Sequence, residues 1–305
     1  MSRLSTLIKT MFISSALLLN LSVSAQSITV EHALGTTQIA QTPQRVVIVG
    51  GHGSLDVLDE LGIKPVGLVT QMLPEYLTSY GDDQSASTGS MKEANFENIF
   101  TLKPDLIIAE ARMVNSYPML SKIAPTVMYS VENGDYWNGT KANWRMLGKI
   151  FDKESEVETI IANTQQQMND IKAIVEDKHL NTLALMNNGN NVSMFGHKSR
   201  FSVIFDEFGF AEARTSDTQN PHGNLISFEF IADSQPDVIF VLDRENAIGL
   251  SSGKAQELFD NVLVKSTPAY KNNRIIFLDA NAWYLTIAGT RSTQQMIQDM
   301  AQATQ

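Results

Sequence analysis

The sequence predicts an α/β protein of two Rossmann-like lobes. Each lobe has a central, mostly parallel sheet, and one long α-helix joins them with a ligand cleft between. Three observations predict this. The stretch NFENIFTLKPDLIIAEAR, from Asn95 to Arg112, returns without a gap as SFEFIADSQPDVIFVLDR, from Ser227 to Arg244, offset by 132 residues. A repeat that far apart marks two related lobes rather than a short-period solenoid. Apolar strand-like runs alternate with helical ones on both sides of the chain, the pattern of a parallel sheet with flanking helices. Between the two copies, Glu154 to about Lys178 contains no Pro or Gly. Its apolar residues recur at three- and four-residue steps, which predicts a single helix of about 25 residues, roughly 37 Å long. A helix that long resists large hinge motion, because bending it breaks its hydrogen bonds.

The 305 residues suffice for two lobes with their own cores. The first 25 read as a signal peptide. Arg3 and Lys9 form a charged start, Met11 to Leu21 is apolar but short for a membrane span, and Val23-Ser24-Ala25 offers the small residues of a cleavage site. No Cys follows the apolar run, so no lipid or membrane anchor is expected, and the mature chain is expected free in the periplasm. The expected divisions are a signal peptide at 1–25, a first lobe at 26–152, a linking helix at 153–178 and a second lobe at 179–305. Net charge is −10, and removal of Arg3 and Lys9 takes it to −12. Non-specific binding to nucleic acid or anionic membrane is therefore not expected. Eight Arg remain after residue 25, so their positions carry information.

Taken in order, Arg45–Val49 is a buried strand. Gly50-Gly51-His52-Gly53 turns into a helix over 55–61, with Ser54 as its N-cap. The glycines match only G-x-G-x-x-D; the third glycine of a dinucleotide fingerprint is missing, so they mark a tight turn at a cleft edge. Strands follow at Val66–Val69, Leu106–Ala109 and Thr126–Tyr129, and Pro74–Gly89 reads as loop. Asn95 caps a helix ending before Pro104. Trp137–Phe151 has helical spacing. Beyond the long helix, Thr182–Met186 and Val192–Phe195 form a hairpin, Arg200–Phe208 a helix, and 217–224 a loop holding His222. Ser227 then caps the second repeat helix. Val238–Leu242 and Arg274–Leu278 are strands, and Arg291–Ala303 is the last helix.

In each repeat the strand ends just before an Arg, and in open α/β sheets ligands bind beyond the carboxyl ends of the strands. Arg112 and Arg244 are thus expected to enter the cleft from opposite lobes, with Arg200 able to join them. Three guanidiniums in one cleft are costly unless the ligand is anionic: a charge pair at about 4 Å is worth about 4 kcal/mol at an effective dielectric near 20. A single Arg is more often a solvated or salt-bridged surface residue; the matched positions favour the cleft for Arg112 and Arg244. His222 and Tyr284 carry donors suited to transition metals, phenolate to Fe(III) in particular. On spacing alone, a loop hydrogen-bonding role for His222 and a cleft-lining role for Tyr284 are the simpler readings. His52 and His197 lie near strand ends and are cleft lining at most. A secreted metal-dependent hydrolase is the alternative from another class, but the chain has no H-E-x-x-H, no G-x-S-x-G and no compact His/Asp cluster in sequence.

From about Ser27 onward the chain resembles the periplasmic siderophore-binding proteins of the long-helix class, a group that includes haem and cobalamin binders. The resemblance is carried by Pro43-x-Arg45-Val46-Val47, by Leu58-x-x-Leu61-Gly62-Ile63-x-Pro65-Val66-Gly67 and by both repeats. Within that group it is most similar to the ferric catecholate binders. The resemblance implies Arg112, Arg200 and Arg244 as siderophore-binding residues. It implies His222, in NPHGN, and Tyr284, in AWYL, as direct iron ligands that fill two sites left open by a four-donor siderophore. It also implies Glu97 and Glu229 as contacts to the permease of an ABC importer, although an acidic first-turn residue also suits the helix dipole. A monomer without catalytic residues or an intrinsic cofactor is expected, with Fe(III) arriving as the siderophore complex. Another iron chelate (hydroxamates included), haem or cobalamin is the alternative cargo.

Overall fold

The structure is a computed structural model that describes residues 27–81, 85–215, 220, 223–250 and 254–305. The expected signal peptide and His222 lie outside the described residues. The described residues begin with a hairpin not expected from the sequence, β1 (Ile28–His32) and β2 (Gly35–Ile39). A first, wholly parallel sheet follows: β3 (Val46–Val49), β4 (Gly67–Leu68), β5 (Ala86–Ser87), β6 (Leu106–Glu110) and β7 (Thr126–Tyr129), in the order β5-β4-β3-β6-β7. The second sheet contains β8 (Asn181–Asn188), β9 (Asn191–Phe195), β10 (Ala211–Glu212), β11 (Asn224–Ile226), β12 (Val238–Asp243) and β13 (Ile275–Phe277). Its order is β11-β9-β8-β12-β13, with β10 also paired to β8. There β8, β12 and β13 run parallel, whereas β9 is antiparallel to β8 and β11.

Strand alternation divides the core. Val46 and Ile48 face one way, Val47 and Val49 the other; Val238, Phe240 and Leu242 likewise oppose Ile239 and Val241. One set joins a continuous core that runs from the first sheet through the helices into the second. The opposite faces are covered separately within each lobe. The long helix runs from Glu154 to Asp177 and buries Val157, Ile161, Thr164, Met168, Ile171 and Val175. Ile174, which shares the apolar spacing, is 42% exposed: it sits one position off the buried stripe.

The repeat is structural as well as sequential. Asn95 and Ser227 cap their helices by accepting the N–H of Asn98 and Phe230. Asp105 accepts the N–H groups of Gln44 and Arg45 at the start of β3, and Asp237 accepts the N–H and side-chain amide of Asn181 at the start of β8. Each Pro-Asp thus pins its own strand to the neighbouring central one.

The final helix, Thr290–Gln302, bridges the halves of the molecule: it packs on the helix Gly53–Glu60 and on the long helix, as well as on the turn Asn281–Leu285. Asp56, fully buried, accepts from Ser292 N–H at 2.9 Å and from the Tyr76 hydroxyl at 3.1 Å. Arg291 pairs with Asp59 at 2.9 Å.

Burial pushes the Asp56 carboxyl up to about 6, against the pull of its hydrogen bonds and of Arg291. The folded chain then holds this proton more tightly than the unfolded one. Its contribution to stability is greatest below about pH 4, falls as pH rises to about 6, and amounts to about 3 kcal/mol lost by neutrality. Asp56→Asn is therefore expected to flatten the pH dependence of urea unfolding between pH 4 and pH 7. Parallel curves for the two proteins would contradict this assignment.

Candidate functional site

Tyr284 is the centre on which the three predicted arginines converge. It lies in a single π-helical turn, Asn281–Leu285, a rare geometry concentrated at functional sites. The turn is braced from both ends: Asp279 accepts the N–H of Ala282 at 2.8 Å, and the Trp283 indole donates to Asp299 at 2.8 Å. Burial raises the Asp299 carboxyl above its ordinary value, partly offset by hydrogen bonds from the Asp279 N–H, the Gln295 amide and the Trp283 indole.

Three guanidiniums surround the Tyr284 ring. Arg200 stacks with its central carbon 4.6 Å from the ring centroid, and those of Arg112 and Arg244 are each at 5.9 Å. Arg112 donates to the Tyr284 carbonyl at 3.2 Å, Arg200 to the Trp283 carbonyl at 3.1 Å, and Arg244 Nε to the Tyr284 hydroxyl at 3.1 Å. Arg244 also donates to Asn188 Oδ1 at 3.0 Å. Among the described residues, none of the three forms an ion pair. Burial lowers the Arg200 guanidinium below its ordinary value, and the charge of Arg112 adds to that; the Tyr284 phenol opposes it. Among the described residues the cluster therefore gathers three guanidinium charges with no ion-pair partner, and two acidic residues, Glu110 and Glu132, line the adjoining cavity.

Local structure explains each placement. Arg112 lies in a tight turn, Ala111–Met113, two residues past β6, and Arg244 directly follows β12. Asp243 caps the short helix that Arg244 opens, accepting the N–H of Asn246 at 3.1 Å. Arg200 follows a turn closed by Ser199, whose hydroxyl donates to the Gly196 carbonyl and accepts from Phe201 N–H. The helix expected over 200–208 spans only Ser202–Asp206, which leaves Arg200 outside it.

Beside Arg112 and Arg200 lies a cavity of about 270 Å³, also lined by Glu110, Tyr129, Tyr136 and Ile287. Glu110 was not singled out in sequence. The signal available was a carboxylate closing an apolar strand, LIIAE, where the second repeat has Leu242. Burial raises the Glu110 carboxyl, opposed by hydrogen bonds from Ser54 and by Arg112. Those bonds, at 2.8 and 2.7 Å, correct the expected role of Ser54. It is not an N-cap; His52 precedes the helix, and no side chain caps it. Asn188, which lies between the two strands of the expected hairpin and ends β8, was not singled out either.

The other histidines take structural roles. His52 is fully buried, with Nε2 2.9 Å from the Gln71 carbonyl, so it does not line the cleft. His197 is half exposed and pairs with Asp206 at 2.7 Å. Glu97 and Glu229 are both exposed, each in the first turn of its capped helix. The Glu229 carboxyl is held below its ordinary value by its own backbone N–H and by Ser227. No helix among the described residues is long and apolar enough to cross a membrane.

The family model described as periplasmic binding protein matches residues 47–282. Petrobactin-binding protein YclQ of Bacillus subtilis is 40% identical over 90% of this chain and 87% of its own. Ferric-anguibactin-binding protein FatB of Vibrio anguillarum is 33% identical over 90% and 86%. The crystal structure of the periplasmic catecholate-siderophore binding protein VctP from Vibrio cholerae superposes with a TM-score of 0.87 at 41% identity, covering 91% of this chain and all of that one.

Proposed function

The chain belongs to the periplasmic binding protein family, and we propose that it captures ferric catecholate siderophores in the periplasm and delivers them to an inner-membrane ABC permease. The observation that carries this reading is the convergence on one tyrosine of three guanidiniums that have no ion-pair partner among the described residues. A ferric bis-catecholate is anionic. Its oxygens would replace the carbonyl and phenol acceptors now used by Arg112, Arg200 and Arg244, through charge-assisted hydrogen bonds. The similarity to a petrobactin-binding, a ferric-anguibactin-binding and a catecholate-siderophore binding protein supports this cargo.

In this reading a four-donor siderophore leaves two sites open on six-coordinate iron. The Tyr284 phenol and the His222 imidazole fill them, and both stand aside for a six-donor complex. The protein acts by binding and release as a monomer, after loss of residues 1–25, with lobes at 26–152 and 179–305 on either side of the helix at 153–178. Glu97 and Glu229 present one carboxylate per lobe to the permease.

Fluorescence quenching with four- and six-donor ferric catecholates tests the cargo. Tyr284→Phe is expected to remove a phenolate-to-iron charge-transfer band and to weaken four-donor binding selectively. A band that survives the substitution sinks the coordination claim. Equal loss for both ligand types in His222→Ala would sink the open-site model.

A further inference from the structure

Tyr284 leads at once into a segment held by residues that precede the linking helix. Leu285 is buried against Val69 and Met91. Ala288 is fully buried at φ 61°, a left-handed conformation that an L residue keeps only where its surroundings impose it. Its carbonyl accepts from the Tyr129 hydroxyl and the Trp144 indole, both at 2.6 Å, and its N–H donates to the Tyr136 hydroxyl at 3.2 Å. Asp56 then accepts the first-turn N–H groups of Arg291 and Ser292 at 3.3 and 2.9 Å, donors that a helix start leaves open. The approach is close enough that a Cβ on Gly289 would collide with Asp56, and one on Gly53 with the Ile287 carbonyl. The final helix leads back to the site: its Asp299 accepts the Trp283 indole and the Asp279 N–H.

We propose that residues 285–292 are a strap through which the first lobe sets the position of Tyr284, with Asp56, Tyr129, Tyr136 and Trp144 as positioning residues for the metal-binding phenol. The inference rests on reading Tyr284 as an iron ligand. A phenol reached from one lobe alone would move with that lobe. One flanked by a strap fixed to the other lobe keeps its place relative to Arg112 as well as to Arg200 and Arg244. The phenol that fills an open iron site is then already in place when the complex arrives.

Tyr129→Phe deletes one hydroxyl with little change in shape, and Asp56→Asn keeps the side-chain volume. Each is expected to lower affinity for a four-donor ferric catecholate about tenfold more than for a six-donor one, the low end of the cost of losing an outer-shell orienting bond because both act through the backbone of the strap, and to shift the charge-transfer band. A merely structural role would weaken both ligands alike. Equal losses, or an unchanged band with an unchanged affinity ratio, overturn the proposal. If the wild-type protein shows no band, or Tyr284→Phe leaves it intact, the iron-ligand reading fails on its own. The strap is then judged by hydrogen exchange over residues 284–292 in the ligand-free protein. Tyr129→Phe should accelerate that exchange about tenfold or more, being a loss of native hydrogen bonding in one cooperative segment, and unchanged exchange overturns the strap.

Discussion

Replacing Arg200 by methionine is expected to weaken ferric catecholate binding about 100-fold, or about 3 kcal/mol, while leaving the ligand-free protein at least as stable. Methionine keeps apolar volume over the Tyr284 ring, where the guanidinium now stacks at 4.6 Å. The substitution removes a cation that burial and Arg112 both disfavour. Without ligand, this charge has no anionic partner among the described residues, so its loss relieves a cost rather than breaking a pair. With ligand, the same charge meets a catecholate oxygen in a water-poor cleft and becomes one of the strongest contacts made. Opposite signs for affinity and stability are the signature of a residue kept for its ligand. Titration by fluorescence quenching and thermal unfolding of the ligand-free protein measure the two separately. A large fall in Tm with no loss of affinity would return Arg200 to a structural role.

Glu97→Ala combined with Glu229→Ala is expected to abolish uptake and leave ligand affinity intact. The two carboxylates lie at the starts of matching helices, at the opposite end of each repeat from its arginine. Both are exposed, and neither touches the cluster around Tyr284. Asn95 and Ser227 cap those helices through their own side chains, so the helices keep their first turns without the glutamates. Binding titrations alongside uptake of radiolabelled ferric siderophore into cells carrying the double variant give the answer. Wild-type uptake would leave Glu97 and Glu229 with the helix dipole alone.

The repeat made much of this architecture legible before any coordinates. It placed Arg112 and Arg244 at strand ends because the apolar runs LIIA and VIFVL each break at a carboxylate, Glu110 or Asp243, within two positions of the Arg. The same logic failed for Ser54. A serine ahead of an apolar run has the composition of a cap, but the buried carboxylate of Glu110, brought close by the pairing of β3 with β6, claims its hydroxyl instead. Arg200 and Tyr284 were identified by resemblance to a family, not by spacing. Their neighbours Asn188 and Glu110 went unnoticed, since a polar residue at a strand end gives no sign of which side chain will face it.

By itself, the sequence missed the hairpin of β1 and β2 and, in the stretch read as loop over Pro74–Gly89, the short helix Glu75–Gly81 and the strand Ala86–Ser87. It determined most of the central strands, their division about one long helix, and the matched ends of each repeat. These are local properties: periodicity, caps and breakers act over a few residues and leave their mark in composition. The tertiary structure alone decided that three arginines close on a single ring, and that the segment after Tyr284 is fastened to the opposite lobe. The bonds responsible join Arg112 to Tyr284, Tyr129 to Ala288 and Asp56 to Ser292, across more than 150 residues of chain. Such contacts form only after both sheets and the helix between them have folded, and no window of sequence contains both partners.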